Sequence, residues 1–133
     1  MKKDGHKDLR QWAELARSNS HSPYSKVQVG AALECEDGKI FAGCNVENCS
    51  FGGTVCAERV AIFKAVSEGQ RRFKRIYILT QEGWPPCGLC RQVMSEFMGP
   101  GFEVIVADMK GMEKKYDLKD ILPLAFTPES LKI

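Results

Sequence analysis

Cys56-Ala57-Glu58 and, some thirty residues on, Pro86-Cys87-Gly88-Leu89-Cys90 restrict the folds open to this chain more than any other feature. If these cysteines act together, two segments distant in sequence must meet in space. Three thiolates can hold Zn²⁺ at roughly 2.3 Å each and leave a fourth tetrahedral position for water, which is how a catalytic site differs from a closed structural one. A glutamate two residues from a ligand, and not needed as a ligand itself, is then free to carry protons between water and a substrate.

At 133 residues the chain suits one hydrophobic core, and a single domain spanning residues 1–133 is expected. The 44% hydrophobic and 27% charged content is that of a globular protein, and a net charge of +2 is too small for a nucleic-acid surface. The first residues, Met1-Lys2-Lys3-Asp4-Gly5-His6-Lys7-Asp8, carry charge with no apolar run behind it. Neither a signal peptide nor a membrane span is read there, and a cytoplasmic protein with no membrane partner is expected. In a reducing compartment closely spaced cysteines bind metal or do redox chemistry more often than they form disulfides. Cys35, Cys44 and Cys49 read as small buried apolar residues in or beside strands.

Apolar residues recur at helical spacing over 9–16 and stop near Ser18. Val27, Val29, Ala31 and Leu33 alternate, and after Glu36-Asp37-Gly38 the pattern resumes over 40–44, which predicts a hairpin. A polar stretch, 45–54, leads into a helix over about 55–68, apolar around most of its circumference and stopped by Gly69. A central strand over 75–80, a Gly- and Pro-rich loop and a helix over 89–98 follow, the last ended by Gly99-Pro100-Gly101. A strand over 103–107, a weaker one near 115–117 and a helical turn over 118–122 complete the order. The fold class expected is α/β, a mixed sheet between helices.

Both cysteine segments fall at helix starts, where side chains lean toward the N-terminal end and thiol pKa values fall. Cys56, Cys87 and Cys90 are thus the expected metal ligands, with Glu58 beside them. Three thiolates and Zn²⁺ sum to one negative charge, so guanidinium groups of Arg59 and Arg91 donating to the sulfurs would restore the acidity of a bound water. Other readings exist for each half. Cys87-Gly88-Leu89-Cys90 alone suits a thioredoxin-like dithiol, and Cys44 or Cys49 as a fourth ligand would make a structural zinc site, which leaves Glu58 without a role.

The chain resembles the small, homotetrameric type of zinc-dependent cytidine deaminase. The resemblance runs through Tyr24-Ser25-Lys26, Val29-Gly30-Ala31-Ala32-Leu33, Gly43-Cys44-Asn45-Val46-Glu47-Asn48, Cys56-Ala57-Glu58-Arg59, Pro86-Cys87-Gly88-Leu89-Cys90-Arg91-Gln92 and 122–128. It implies a three-layer α/β/α fold with a mixed five-stranded sheet and one Zn²⁺ per chain. It also implies a nucleoside substrate and a homotetramer whose active sites are completed by neighbouring subunits. Water activated at the metal would attack C4 of cytosine while Glu58 moves its proton to N3, with ammonia leaving and uridine formed. Asn45 and Glu47 would hydrogen-bond the ribose 3′-hydroxyl, and the backbone N–H of Ala57 would donate to the pyrimidine carbonyl.

Two positions depart from the family pattern. Val27 stands where a Phe that stacks on the base is usual, and Phe51 stands where a Tyr is common in a loop reaching a neighbouring site. Phe126 reads either as part of an adjoining active site or as an anchor of the last helix. The expected activity is deamination of cytidine and 2′-deoxycytidine in pyrimidine salvage. A related aminopyrimidine nucleoside, such as a nucleoside antibiotic, is the nearest alternative substrate. A thiol oxidoreductase and a zinc-stabilised interaction domain are the alternatives of other classes, and a polynucleotide substrate is not expected.

Overall fold

Successive side chains of a strand point to opposite faces of its sheet, and the protein's two apolar clusters divide along that alternation. The structure is a computed structural model and describes residues 5–131. Its main elements in chain order are α1 (Gly5–Arg17), β1 (Gly30–Cys35), β2 (Ile40–Cys44), α2 (Ala57–Ser67), β3 (Phe73–Leu79), α3 (Gly88–Phe97), β4 (Met98–Ala107), β5 (Glu113–Asp117), α4 (Leu118–Ile121) and α5 (Pro128–Leu131). The five strands form one sheet in the order β2-β1-β3-β4-β5. From one face Ala31, Leu33, Ile76, Ile78, Val104 and Val106 pack against Ala57, Ala61 and Ile62 of α2 and Cys90 and Met94 of α3. From the other, Ala32, Tyr77, Leu79, Ile105 and Ala107 pack against Leu9 and Ala13 of α1. The expected helix–sheet–helix layering and mixed five-stranded sheet are therefore present.

Strand direction places the helix starts. β1 is antiparallel to both β2 and β3, so β2 and β3 run the same way and both end at the edge where Gly30 lies opposite Cys44 and Leu79. α2 follows β2 and α3 follows β3, so both helices begin from that edge. β3 and β4 are parallel, with α3 as their crossover, and sheets of this kind hold ligands beyond the carboxyl ends of such strands. α2 lies so close to β2 that a Cβ on Gly43 would stand 2.6 Å from the N of Ala61 and 2.9 Å from the O of Ala57. Only glycine permits that approach.

Two boundaries and one helix face differ from expectation. β1 begins at Gly30, although the alternation starts at Val27. The Asn45 side chain takes the place of a paired strand there, with Oδ1 accepting the Val29 N–H at 2.9 Å and Nδ2 donating to the Val27 carbonyl at 2.7 Å. β4 begins at Met98, so Gly99-Pro100-Gly101 lies within a strand rather than after a helix. Met98 pairs with Phe73, and regular pairing resumes only at Glu103 opposite Arg75. Pro100 has no N–H for the ladder, and the intervening residues form a bulge. Finally, α1 buries Leu9 and Ala13 fully, but Trp12 and Leu15 of its apolar set remain exposed. No helix among the described residues is long and apolar enough to cross a membrane.

Candidate active site

The sheet edge shared by β1, β2 and β3 is continued by Val29, Asn45 and Thr80, and all three line a cavity of about 200 Å³ together with Thr54, Val55, Cys56, Ala57, Glu58, Trp84, Pro85 and Cys87. Cys56 is the N-cap of α2 and Cys87 the N-cap of α3, and neither side chain makes the capping hydrogen bond that Ser, Thr or Asp makes at this position. Both sulfurs turn instead toward Cys90, in the first turn of α3. The three Sγ atoms lie within 4.8 Å of one another and form the one such His/Cys/Asp/Glu group among the described residues. The Cys56 and Cys87 sulfurs are 3.8 Å apart. Two thiolates bound to one tetrahedral zinc at roughly 2.3 Å are about 3.8 Å apart, so the donor set and its spacing fit Zn²⁺. Cys44 and Cys49 do not join the group, which leaves the fourth tetrahedral position without a cysteine.

The electrostatics suit thiolate ligation. The Cys56 thiol is drawn down to about 5, first by the hydrogen bond from Cys90 and then by Arg59 and Cys87, with burial opposing them. Cys90 is pushed up, because in this pair it keeps the proton and is itself buried. Arg59 brings Nη2 to 3.5 Å from the Cys56 sulfur, while its buried Nε has no hydrogen-bond partner among the described residues. Arg91 behaves otherwise. Its Nε donates to the Pro86 carbonyl at 2.8 Å and its Nη1 to the Ile121 carbonyl at 2.7 Å, so the expected donation to sulfur gives way to fastening the loop before Cys87 onto the segment after α4. Arg91 comes four residues after Cys87 and one helical turn places it over that loop.

Glu58 sits one residue inside α2 and is 5% exposed. Burial pushes its carboxyl up to about 7, against the hydrogen bond from its own backbone N–H. The Cys56 charge adds to the rise and Arg59 works against it. Ala57 opens α2, so its N–H is one of those without an acceptor inside the helix, and it borders the cavity.

Asn45 is buried and borders the cavity as well. Its amide is largely engaged with Val27, Val29 and the Ser20 hydroxyl, the last at 2.6 Å. Glu47 borders a second cavity of about 420 Å³ with Tyr24, Ser25, Phe51 and Thr54. Its carboxylate accepts the N–H groups of Tyr24 and Ser25 at 3.0 and 3.2 Å and the Ser25 hydroxyl. The hydroxyl bond is the main reason it titrates below the ordinary carboxylate range. Thr54 borders both cavities, so the two adjoin.

Two expected binding residues lie elsewhere. Val27 is not among the cavity residues and acts through its backbone, where Val29 supplies the side chain. Phe51, 72% exposed, meets the edge of Tyr24 at 5.7 Å in the second cavity and takes no part in the sulfur-lined one. Sequence reasoning passed over Thr54, Thr80 and Trp84. The Gly-Trp-Pro-Pro run before Cys87 was the available signal for Trp84.

A family model described as the cytidine and deoxycytidylate deaminase zinc-binding region matches residues 3–106. The cytidine deaminase of Sporosarcina psychrophila is 46% identical over 121 residues, which cover 90% of this chain and 89% of that protein. Blasticidin-S deaminase of Bacillus cereus is 32% identical over 113 residues, covering 77% of this chain and 79% of that protein. Among solved structures, the cytidine deaminase from Burkholderia pseudomallei superposes with a TM-score of 0.87 at 44% identity, covering 91% of this chain and 98% of that one.

Proposed function

The chain belongs to the cytidine and deoxycytidylate deaminase family of zinc enzymes, and from that premise we propose that it converts cytidine and 2′-deoxycytidine with water into uridine and 2′-deoxyuridine, releasing ammonia. The observation that carries the reading is the group of three sulfurs at zinc spacing beside a buried carboxyl, open on the side of a small cavity. The likeness to blasticidin-S deaminase is the weaker of the two deaminase matches, which favours cytidine as substrate.

Zinc held by Cys56, Cys87 and Cys90 supplies a Lewis acid that brings the pKa of a water molecule down toward neutrality. Glu58 does the proton work. Burial raises the Glu58 carboxyl, and an oxygen of Glu58 accepts one proton of the attacking water and gives it to ring N3, then takes the second from the hydroxyl now on C4 and gives it to the amine, so that ammonia leaves as the C4 carbonyl forms. The cavity walls keep bulk water from the carboxylate, so the proton goes to substrate rather than solvent. The Ala57 N–H donates to the pyrimidine carbonyl at the N-terminal end of α2. The base occupies the smaller cavity, and the sugar extends past Thr54 toward Glu47 in the larger one. The Nδ2 of Asn45 retains one hydrogen beyond its bond to Val27 and points the same role at the 3′-hydroxyl. Arg59 offsets the charge of the thiolates.

The chain acts as one catalytic domain in the cytoplasm, a placement supported by six free cysteines. It assembles as a homotetramer. Phe63 on α2, Leu89 on α3, Phe51 in the loop before α2 and Phe126 in the tail are all exposed, and exposed apolar side chains suit contact with other copies.

Ultraviolet-monitored turnover of cytidine, deoxycytidine and free cytosine, run beside zinc analysis, tests the reading. Zinc at one per chain and turnover of the two nucleosides are expected, and Glu58→Gln is expected to lose about 10²- to 10⁴-fold in kcat with zinc retained. A Glu58→Gln variant of undiminished activity would refute the role given to that carboxyl.

A further inference from the structure

We propose that Trp84 is the aromatic wall on which the pyrimidine ring lies, and that it positions the base over the sulfur group. The proposal rests on the function given above and adds a binding residue to it. Among the residues that line the 200 Å³ cavity, Trp84 is the one aromatic. Asn45, Glu58 and the Ala57 backbone offer hydrogen-bonding groups, which meet the edges of a planar ring. Its faces require flat or aliphatic surfaces, and Val29 and Val55 are small. The other aromatics near the site are engaged elsewhere: Tyr24 and Phe51 pair with each other in the adjoining cavity. Trp84 keeps 47% of its surface exposed, an area that a stacked base would cover.

The loop that carries it is built to hold it still. Thr80, buried just past the end of β3, accepts the N–H of Gly83 at 2.8 Å and that of Trp84 at 2.7 Å on its hydroxyl oxygen. Gly83 turns through a φ of +80°, which suits glycine. Glu82 pairs with Asp108, and the Gln81 carbonyl accepts the Met109 N–H at 3.3 Å. On the other side Pro85 restricts the backbone of Trp84 to extended conformations, and the buried Pro86 gives its carbonyl to Arg91. A backbone fixed from both sides has less freedom to lose when a ligand settles on the side chain it carries, so more of the contact area goes into affinity. Arg91 thereby supports the cavity wall as well as the cysteine loop.

The test uses the zinc-loaded full chain and two readouts. Uridine, which the enzyme does not consume, is titrated while tryptophan fluorescence is followed. The two tryptophans are Trp12 and Trp84, and Trp12 belongs to α1 on the far face of the sheet. The uridine-dependent change should persist in Trp12→Phe and vanish in Trp84→Phe. In turnover, Trp84→Leu should raise KM for cytidine on the order of tenfold, with kcat changed by less than about twofold and zinc still bound. Trp84→Phe, which keeps a ring, should stay within about threefold of the original KM. An unchanged KM in Trp84→Leu, or a uridine signal that survives Trp84→Phe, overturns the proposal while leaving the deaminase reading intact. If the original chain releases no ammonia from cytidine, the function fails, and the uridine titration still decides whether a pyrimidine nucleoside lies on Trp84.

Discussion

Asn45 stands at the junction of folding and recognition. Its amide substitutes for strand pairing by holding the Val27 carbonyl, the Val29 N–H and the Ser20 hydroxyl, and so closes the segment before β1 onto the end of β2. Replacing Asn45 by Asp keeps the shape but sets an oxygen against the Val27 carbonyl and buries a charge. The variant should lose about 1–3 kcal/mol of stability in urea unfolding at pH 7, because a buried group left without its partner costs the full desolvation term. A loss below about 0.5 kcal/mol would mean that the amide is dispensable to the fold. The type and place of this residue were legible in the sequence; its engagement with the backbone was not. Side-chain bonds to backbone and hydroxyl groups 16 to 25 residues away leave no periodic trace, and for the same reason Val27 looked like the first residue of a strand. Trp84 was missed because one aromatic between Gly and Pro belongs to no repeating pattern, whereas Glu58 stood out by its distance from Cys56.

At the scale of elements, the site is a product of helix placement. Cys56 and Glu58 ride on the start of α2, Cys87 and Cys90 on the start of α3, and the spacing of the sulfurs depends on how closely α2 settles on β2. Gly43 sets that distance. Gly43→Ala forces the new methyl against Ala61 N and Ala57 O at under 3 Å, so α2 must move outward. We expect a destabilisation of about 1–3 kcal/mol together with weaker zinc retention, read by competition with a chromogenic chelator. Destabilisation with zinc affinity unchanged would show that the sulfur group adjusts independently of the β2–α2 contact. Helix and strand order could be read from hydrophobic spacing because the sheet is covered on both sides and each element shows its period. The bulge in β4 could not, since Gly-Pro-Gly is also how a helix stops, and only the pairing of Met98 with Phe73 decides between the two.

Across the whole molecule, charges on the α1 side of the sheet tie the strands together. Arg75 of β3 bonds Glu34 of β1 at 2.6 Å and Glu103 of β4 at 3.1 Å, and Lys115 of β5 approaches Glu103 at 3.6 Å. Burial raises the Glu103 carboxyl, but Arg75 and Lys115 prevail and hold it below its ordinary value. A carboxyl depressed in the folded state stabilises the fold above its unfolded pKa, near 4.3, and that contribution is lost as pH falls through the folded value. Asp37 and Asp108 add to the same trend, held down chiefly by the backbone N–H groups of Lys39 and Met112. The melting temperature should therefore hold from about pH 7 to 5 and fall below about pH 4, and the deficit of Arg75→Met relative to the original chain should shrink over the acid range. A deficit of constant size down to pH 3 would remove Glu103 from the account.

The caps of α2 and α3 have a consequence for the history of such a chain. Two positions that ordinarily carry a hydroxyl or carboxylate to cap the start of a helix carry sulfur here and make no capping hydrogen bond, so one ion held by both would join the two helix starts. Reactivity and architecture share the same three atoms. A descendant released from selection for its reaction would lose the joint between its two helix starts along with its thiols, and drift at this corner is constrained even where the chemistry is no longer wanted.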